Sequence, residues 1–325
     1  MTPKLKEKHL LRIPTRCRAI LWCVFILLGL NALSGPQTVH GAEGAVDYYM
    51  QGGIYGNFGI AKLPGKGLYY LNYLVYQNGE ADAAVRGGRL HADIEDDIGA
   101  NAFALAYISD WKLFGGNYVF GAAAVAMGSS LDAGLVEDRG ISINDSNWGW
   151  ADPTIVPFGL NWKGETWNFF LYNQINVPIG EYDKDNNVNL GFNYWAFDTN
   201  LAITKELPAN FEIDTNFGVL VNTKNQATNY HSGSAYHIDA TLGYDVTRQF
   251  QLGLSGYYYK QFQGDSGSGA TLGDFKGEAY GWGPTVQYIA SLKPIIVLNF
   301  EWIHDTYAKN RMKNDTGVFF FAFEF

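Results

Sequence analysis

The sequence has almost no cysteine. Only Cys17 and Cys23 occur among its 325 residues, and both lie within the first 41. The rest of the chain therefore cannot form a disulfide framework, a thiolate metal site or a cysteine nucleophile. The sequence also has no apolar run approaching the roughly 18 residues that a membrane-spanning helix requires. If this chain crosses a membrane, it must do so as a closed β-barrel.

Basic residues are scarce after the first 41 positions. Residues 42–325 carry 17 basic and 31 acidic side chains, a formal net charge of −14. An acidic chain of this kind repels nucleic acid, so no nucleic-acid partner is expected. Aromatic residues make up 16% of the sequence and glycine contributes 38 residues. That composition suits many strands, tight bends and aromatic girdles.

Residues 1–41 are predicted to be a secretory signal peptide. Six basic residues, from Lys4 to Arg18, precede a 12-residue apolar run at positions 19–30. That run is too short to span a bilayer, and small residues follow it. Cleavage is expected near Gly41, Ala42 or Gly44, so the mature chain is predicted to be exported.

The last ten residues alternate between two faces of a predicted strand. One face carries Phe319, Phe321, Phe323 and Phe325. A wholly aromatic face needs an apolar medium, and for an exported bacterial-type chain this is the lipid of the outer membrane. Phe321, Phe323 and the terminal Phe325 resemble the assembly signal of outer-membrane β-barrels. Outer-membrane lipid, lipopolysaccharide and the barrel-assembly machinery are therefore the expected partners. The alternative is an edge strand packed in a soluble core.

Twelve strand-like segments follow residue 66, and they alternate most clearly in the second half of the chain. They span residues 68–77, 101–108, 118–128, 154–162, 167–177, 195–204, 211–222, 235–246, 250–261, 278–290, 295–304 and 317–325. The predicted fold is all-β, with about twelve strands over residues 67–325. Ten or fourteen strands remain open, because the early segments alternate weakly.

The connections between these segments alternate in length. The long connections are 78–100, 129–153, 178–194, 223–234, 262–277 and 305–316, and the short ones are 109–117, 163–166, 205–210, 247–249 and 291–294. Short periplasmic turns alternating with long external loops are typical of up-and-down outer-membrane β-barrels. Both termini are then expected on the periplasmic side.

Residues 42–66 form a segment rich in glycine and tyrosine before the first confident strand. Tyr48, Tyr49, Tyr55 and Phe58 give it apolar contacts, and its glycines permit a folded backbone without regular structure. We predict that it folds into the periplasmic mouth and narrows the lumen. An extra strand pair, making fourteen strands, is the alternative.

The faces predicted to line the lumen are acidic, and their strand interiors contain no lysine or arginine. The candidates are Asp198, Glu212, Asp214, His237, Asp239, Tyr257, Tyr259, Glu278 and Glu301. A lumen of one negative sign would concentrate cations and repel anions.

Two sequence patterns that could indicate a chemical site are better explained by ordinary structural roles. His237 and Asp239 lie two residues apart, but neither Ser234 nor Ser255 belongs to a nucleophile motif, so no catalytic residue is predicted. The alternation of Asp183, Asp185, Asn187 and Asn189 hints at a calcium loop. Val188 and Tyr194, however, stand where such a loop needs glycine and glutamate. A solvated loop with no metal is expected.

Several stretches resemble one family of Gram-negative outer-membrane proteins, which is named for the meta-pathway of phenol degradation and often called "transporter". The resemblance lies in residues 63–76, 152–162, 178–195, 230–243, 253–264 and 266–284. It implies a barrel loosely like the long-chain fatty-acid channels, found beside aromatic-degradation pathways, with no cofactor and no catalytic residues.

The expected function is passive passage of small, neutral, hydrophobic or aromatic compounds. Eight strands fill their own interior and sixteen or more leave a water channel, so about twelve should enclose a narrow conduit. The alternatives are a porin for polar or cationic solutes, a membrane-embedded hydrolase and a surface-structural barrel.

Overall fold

The computed structural model describes residues 47–49, 57–85, 90–135, 142–270 and 276–325. The predicted signal peptide, its cleavage sites and Tyr55 lie outside these residues. Within the described ranges, no helix has the length and apolar character needed to cross a membrane.

The described residues form thirteen strands in one antiparallel sheet, which confirms the all-β prediction. The strands are β1 (Gly67–Val85), β2 (Leu90–Leu113), β3 (Gly116–Leu135), β4 (Ser142–Trp150), β5 (Thr154–Lys163), β6 (Trp167–Asn176), β7 (Ala196–Glu206), β8 (Phe211–Asn222), β9 (Ala235–Asp245), β10 (Phe250–Gln261), β11 (Glu278–Leu292), β12 (Ile295–Lys309) and β13 (Lys313–Glu324).

The sheet closes on itself as a barrel of twelve strand positions. The first strand, β1, pairs with both β2 and β13, which places Tyr69 opposite Glu324 at the closing seam. Both β4 and β5 pair with β3, β4 along residues 126–134 and β5 along residues 117–123. These two strands therefore occupy one position in the wall, and the predicted count of twelve is confirmed.

Alternate residues face the interior and the outside, as the period-two pattern predicts. In β8, residues 212, 214, 216, 218, 220 and 222 are buried, whereas Phe211, Ile213 and Phe217 are exposed. Exposed aromatic side chains form a girdle at each end of the outer surface. One girdle includes Trp111, Trp167, Phe211, Tyr244 and Phe325, and the other includes Tyr76, Trp150, Trp195, Trp282 and Trp302.

The two ends of the barrel differ in their connections. At the turn end, adjacent strands are joined by short turns, such as Phe114-Gly115 and Ala209-Asn210, whose residues have positive φ. The longer connections, including residues 177–195, 223–234 and 262–270, lie at the other end, called the loop end. Both β1 and β13 have their barrel termini at the turn end.

Three predicted long connections are mostly strand, which corrects the sequence interpretation of residues 78–100, 129–153 and 305–316. The structure extends β1, β2, β3, β12 and β13 through most of these residues and adds β4. Strands that rise beyond the lipid meet water on both faces, so their sequences lose the apolar alternation that marks a membrane strand. They consequently look like loops in the sequence.

The topology predicts which engineered cysteines react from outside the cell. Single cysteines replacing Ser130, Asn186 or Ser268 near the loop end should label in intact cells with a membrane-impermeant maleimide. A cysteine replacing Lys293 at the turn end should label only after permeabilisation. Gly267 is unsuitable as a labelling position because its φ is 99° and a Cβ would lie 2.1 Å from the Asn229 carbonyl oxygen. Labelling of Lys293→Cys in intact cells, with protection of Asn186→Cys, would contradict this orientation.

Candidate functional site

One side of the barrel interior is lined by very small side chains. In β2 the inward residues include Ala100, Ala102, Ala104 and Ala106, and these pair with Met127, Val125, Ala123 and Gly121 of β3. The alanines of β2, together with Ala123 and Gly121 of β3, leave the neighbouring lumen unfilled. A cavity of about 780 Å³ lies against this wall, bounded also by β1, β13 and the N-terminal segment. Its volume is within the range of small-molecule sites.

The opposite side of the interior is filled by a buried polar network. His237 Nδ1 lies 2.7 Å from Asp239 Oδ2, and His237 Nε2 lies 3.2 Å from Asp198 Oδ2. Gly218 sits opposite His237 in the ladder, and a Cβ there would lie 1.8 Å from the imidazole. Glycine at 218 therefore creates the space that the ring occupies.

Eight of the nine predicted lumen residues face the interior. Asp198, Glu212, Asp214, His237, Asp239, Tyr257, Tyr259 and Glu301 are all buried on inward faces of β7 to β10 and β12. They lie within packed polar surroundings, and among them only Glu212 lines the cavity. Glu278 is a correction, because it lies on the outer face beside Tyr258 and Lys260. The alternation of β11 places Ala279 and Gly281 inward and Glu278 outward. Whether the inward carboxylates select cations stays a prediction.

The beginning of the described chain is held inside the barrel near the loop end. The carboxylate of Asp47 forms an ion pair with Arg311, whose Nη1 lies 3.0 Å away, and both side chains are about 2% exposed. Tyr259 donates a hydrogen bond to Asp47, and Tyr49 donates one of 2.6 Å to Asp239. The cation of Arg311 also lies 4.0 Å from the centre of the Tyr259 ring. The connection between β12 and β13 thus supplies the cation that the strand interiors lack.

Residues 57–62 occupy the interior near the turn end. The ring of Phe58 packs over Gly243 and Gly253, where a Cβ would approach it to 2.6 and 2.7 Å. The amide of Ala61 donates to Thr204 Oγ1 at 3.0 Å. Lys62 forms ion pairs with Glu206 and Glu212. Burial alone would lower the pKa of Lys62, but these two carboxylates outweigh it and raise the pKa above its ordinary value.

Residues 47–49 therefore lie inside the barrel near the loop end, and residues 57–62 lie inside it near the turn end. The sequence predicted that the N-terminal segment stays at the periplasmic mouth, and the contacts of residues 47–49 extend it to the loop end. Both described parts of the segment contact the polar side of the interior, through Tyr49 and Ala61, and both contribute residues to the lining of the cavity. That the segment restricts passage stays a prediction.

Asp152 joins three parts of the structure where the wall changes from β4 to β5. Its carboxylate accepts hydrogen bonds from Tyr48, at 2.6 Å, and from the amides of Gly180 and Phe192, both at 2.7 Å. The 177–195 connection is thereby drawn inward over the loop end, where Leu190 is buried.

The structure does not assemble the serine–histidine–aspartate arrangement considered from the sequence. Both ring nitrogens of His237 face carboxylates. The hydroxyl of Ser234 bonds to Gln263, and that of Ser255 bonds to Thr241. Near the loop end, Asp183 accepts the Asp185 amide within a turn. No group of three or more residues suited to hold a metal ion occurs among the described residues.

The cavity wall was missed at the sequence level. The alternating alanines of residues 100–106, in A-N-A-F-A-L-A, were the available signal. Small residues repeated on an inward face indicate unfilled space, whereas the prediction considered only polar inward residues. Asp47, Asp152 and Arg311 could not be found from local pattern, because their partners are distant in the chain.

Comparison with known proteins identifies the family. The model described as "Putative MetA-pathway of phenol degradation" matches residues 78–321, about three quarters of the chain. The chain belongs to this family. No curated protein matches the sequence. The match to the family model confirms the family resemblance drawn from the sequence.

Two solved structures share the fold of this chain at low sequence identity, and a third aligns with it more weakly. The COG4313 outer membrane channel from Pseudomonas putida F1 aligns with a TM-score of 0.63 and 17% identity, covering 85% of this chain and 100% of that chain. The transport unit of the autotransporter AIDA-I from Escherichia coli aligns with a TM-score of 0.51 and 8% identity, covering 80% and 91%. A Pseudomonas aeruginosa FadL homologue aligns with a TM-score of 0.39 and 10% identity, covering 82% and 91%. The family member described here has the fold of outer-membrane β-barrels.

Proposed function

We propose that this protein is a passive outer-membrane channel for small, neutral, hydrophobic or aromatic compounds. The observation that carries the proposal is the apolar cavity beside the alanine wall of β2 and β3. Apolar surface that is kept open inside a barrel favours solutes that lose little by leaving water. The family to which the chain belongs, described by phenol degradation, supports the same class of solute.

The charges around the cavity favour neutral solutes. Every charged side chain among the described lining residues already has a partner: Asp47 with Arg311, Lys62 with Glu206 and Glu212, Asp96 with Ser129, and Asp152 with Tyr48. An anionic solute would have to enter an apolar space in which both lining cations, Lys62 and Arg311, are already paired with carboxylates, at a large desolvation cost. A neutral solute avoids that cost.

Filling the cavity should block uptake. Ala104 faces the cavity from the middle of β2, so Ala104→Trp places a large ring in the space that the solute would use. We expect initial uptake of a radiolabelled single-ring arene by intact cells to fall to the rate of cells without the protein. The assay uses an arene concentration at which cells without the protein take up little of the compound.

The matched control is Ala124→Trp, which adds the same ring on the exposed outer face of β3. It should leave uptake unchanged. The amount of folded barrel in the outer membrane is measured for each variant, and Ala104→Leu, a smaller addition, should give intermediate uptake. Unchanged uptake by a folded Ala104→Trp barrel would show that the cavity is not the route.

A further inference from the structure

The outer surface of the barrel carries three lysines close together near the loop end. Lys260 of β10 and Lys309 of β12 lie directly opposite Glu278 of β11, one on each side of it. Lys276 precedes Glu278 by two residues and is exposed. The carbonyl oxygen of Lys276 accepts a 3.0 Å hydrogen bond from the side chain of Asn310, which holds Lys276 at the end of β12. These three lysines are called the basic patch.

The basic patch has an excess of positive charge. Lys260 Nζ lies 3.3 Å from Glu278 Oε2, and the Tyr258 hydroxyl donates to the other carboxylate oxygen at 2.6 Å. Lys276 and Lys309 form no ion pair with any residue in the described ranges. Three lysines and one glutamate therefore leave two ammonium groups without a counter-charge. A surface ion pair such as Lys260–Glu278 also contributes little, so it can be exchanged for a stronger anion.

A row of tyrosine side chains separates the basic patch from the aromatic girdle near the loop end. Tyr258, Tyr280 and Tyr307 are neighbours across β10, β11 and β12, and the rings of Tyr280 and Tyr307 stack with centroids 5.3 Å apart. Trp282 of the girdle is the next outward residue of β11 and is exposed. At a rise of about 3.3 Å per residue, Glu278 lies about 13 Å along the strand from Trp282. The lysines thus lie where lipid head groups meet water.

The β1 to β3 side of the barrel has the opposite charge beyond the same girdle. Glu80, Glu95 and Asp132 are direct neighbours across β1, β2 and β3, and all three are exposed. Glu80 pairs with Lys313, whereas Glu95 and Asp132 have no cationic partner among the described residues. These three carboxylates are called the acidic row. Lipid phosphates would be repelled from the acidic row and attracted to the basic patch, because both act at the membrane surface.

We propose that the basic patch binds the phosphate groups of lipopolysaccharide in the outer leaflet of the outer membrane. This lipid carries phosphates on a sugar head group above its acyl chains. Its phosphates would accept charge-assisted hydrogen bonds from the lysines, while its acyl chains lie against the girdle. The tyrosine row suits the level between them, because tyrosine rings are amphipathic. The site lies on the outer surface, so it is independent of the solute cavity, and it requires the loop end to face the exterior.

The test compares lipid A, the membrane anchor of lipopolysaccharide, with lipid A from which both phosphates have been removed. Binding of each to the purified full-length barrel in nonionic detergent is measured by native mass spectrometry, with EDTA present to remove divalent cations. The wild type should bind the phosphorylated lipid more tightly. A lysine at a charged lipid surface contributes about five-fold, so Lys260→Gln with Lys309→Gln should weaken this binding about 25-fold. Binding of the dephosphorylated lipid should not change.

Lys184→Gln combined with Lys224→Gln is the matched control. It removes two positive charges from connections 177–195 and 223–234, outside the basic patch, and should bind both lipids like the wild type. Heat-modifiable migration on gels confirms that each variant is folded. Equal binding of the two lipids by the wild type, no binding of either, or equal weakening by both double variants would overturn the assignment. Binding that appears only when Mg²⁺ replaces EDTA would place the lipid at the acidic row and also overturn it. The proposed function stands in each case.

Discussion

Deleting residues 45–60 should leave a folded barrel whose single-channel conductance is several-fold larger and less selective. The deletion removes Asp47, Tyr49 and Phe58, whose side chains occupy the lumen near both ends. None of these residues belongs to a strand, and the ladders that close the barrel involve residues 67–324. The space that they leave would fill with water, because it is bordered by the polar network of β7 to β10.

The measurement is conductance of the purified protein in planar lipid bilayers, with folding confirmed by heat-modifiable migration on gels. A variant that keeps the chain length is Asp47→Asn combined with Tyr49→Phe. It removes the ion pair with Arg311 and the hydrogen bond to Asp239, so the segment should leave the lumen part of the time. Brief large openings should then appear among smaller ones.

The single substitution Lys66→Ala provides the control for this experiment. Lys66 pairs with Asp110 at an exposed position near the turn end, and surface ion pairs contribute little. Conductance should therefore match the wild type. Unchanged conductance after the deletion would reject a restricting role for the segment, and loss of folding would show that the segment is needed to form the barrel.

Replacing the terminal Phe325 by aspartate should reduce the protein in the outer membrane to a small fraction of the wild-type amount. Phe325 is 69% exposed, and its backbone amide donates to the Leu68 carbonyl at 3.1 Å beside the closing seam. The side chain therefore contributes little packing to the completed barrel. A large loss would arise from assembly, in which the terminal aromatic acts as the expected recognition signal.

The variant Phe211→Asp distinguishes the loss of an assembly signal from the loss of an aromatic contact with lipid. Phe211 is an exposed aromatic residue of the same girdle but lies in the middle of the chain. Its substitution should reduce the outer-membrane amount much less than Phe325→Asp does, as measured by immunoblotting of membrane fractions. Protein refolded into detergent should have nearly the same thermal stability with Phe325→Asp as without it. Normal outer-membrane amounts of the Phe325→Asp protein would contradict the assembly role.

The sequence correctly predicted the strands in which one face meets lipid and the other faces the lumen. The strands β8 and β9 were placed within one or two residues, because lipid outside and polar groups inside impose a strict period of two. The same rule failed for Glu278 at the first position of β11, where the strand has left the apolar layer. It also failed for the water-exposed extensions of β1, β2 and β3.

Contacts between side chains in the barrel interior could not be predicted in the same way, because their partners are distant in the chain. Tyr49 bonds to Asp239, 190 residues away, and Asp152 joins Tyr48 to the 177–195 connection. Such pairs are set by how the strands tilt and close around the lumen. Local pattern identified Asp239 as inward but could not show that it binds the N-terminal segment.

By itself, the sequence predicted an up-and-down barrel of about twelve strands, with ten or fourteen left open, an aromatic final strand and acidic inward faces, because alternation and turn residues act locally along each strand. Only the tertiary structure decided how the interior is divided. The alanines of β2 leave a cavity on one side, while the Asp198–His237–Asp239 network fills the other. The reason is geometric: the space beside an inward residue depends on side chains from across the lumen, which its neighbours in sequence do not specify.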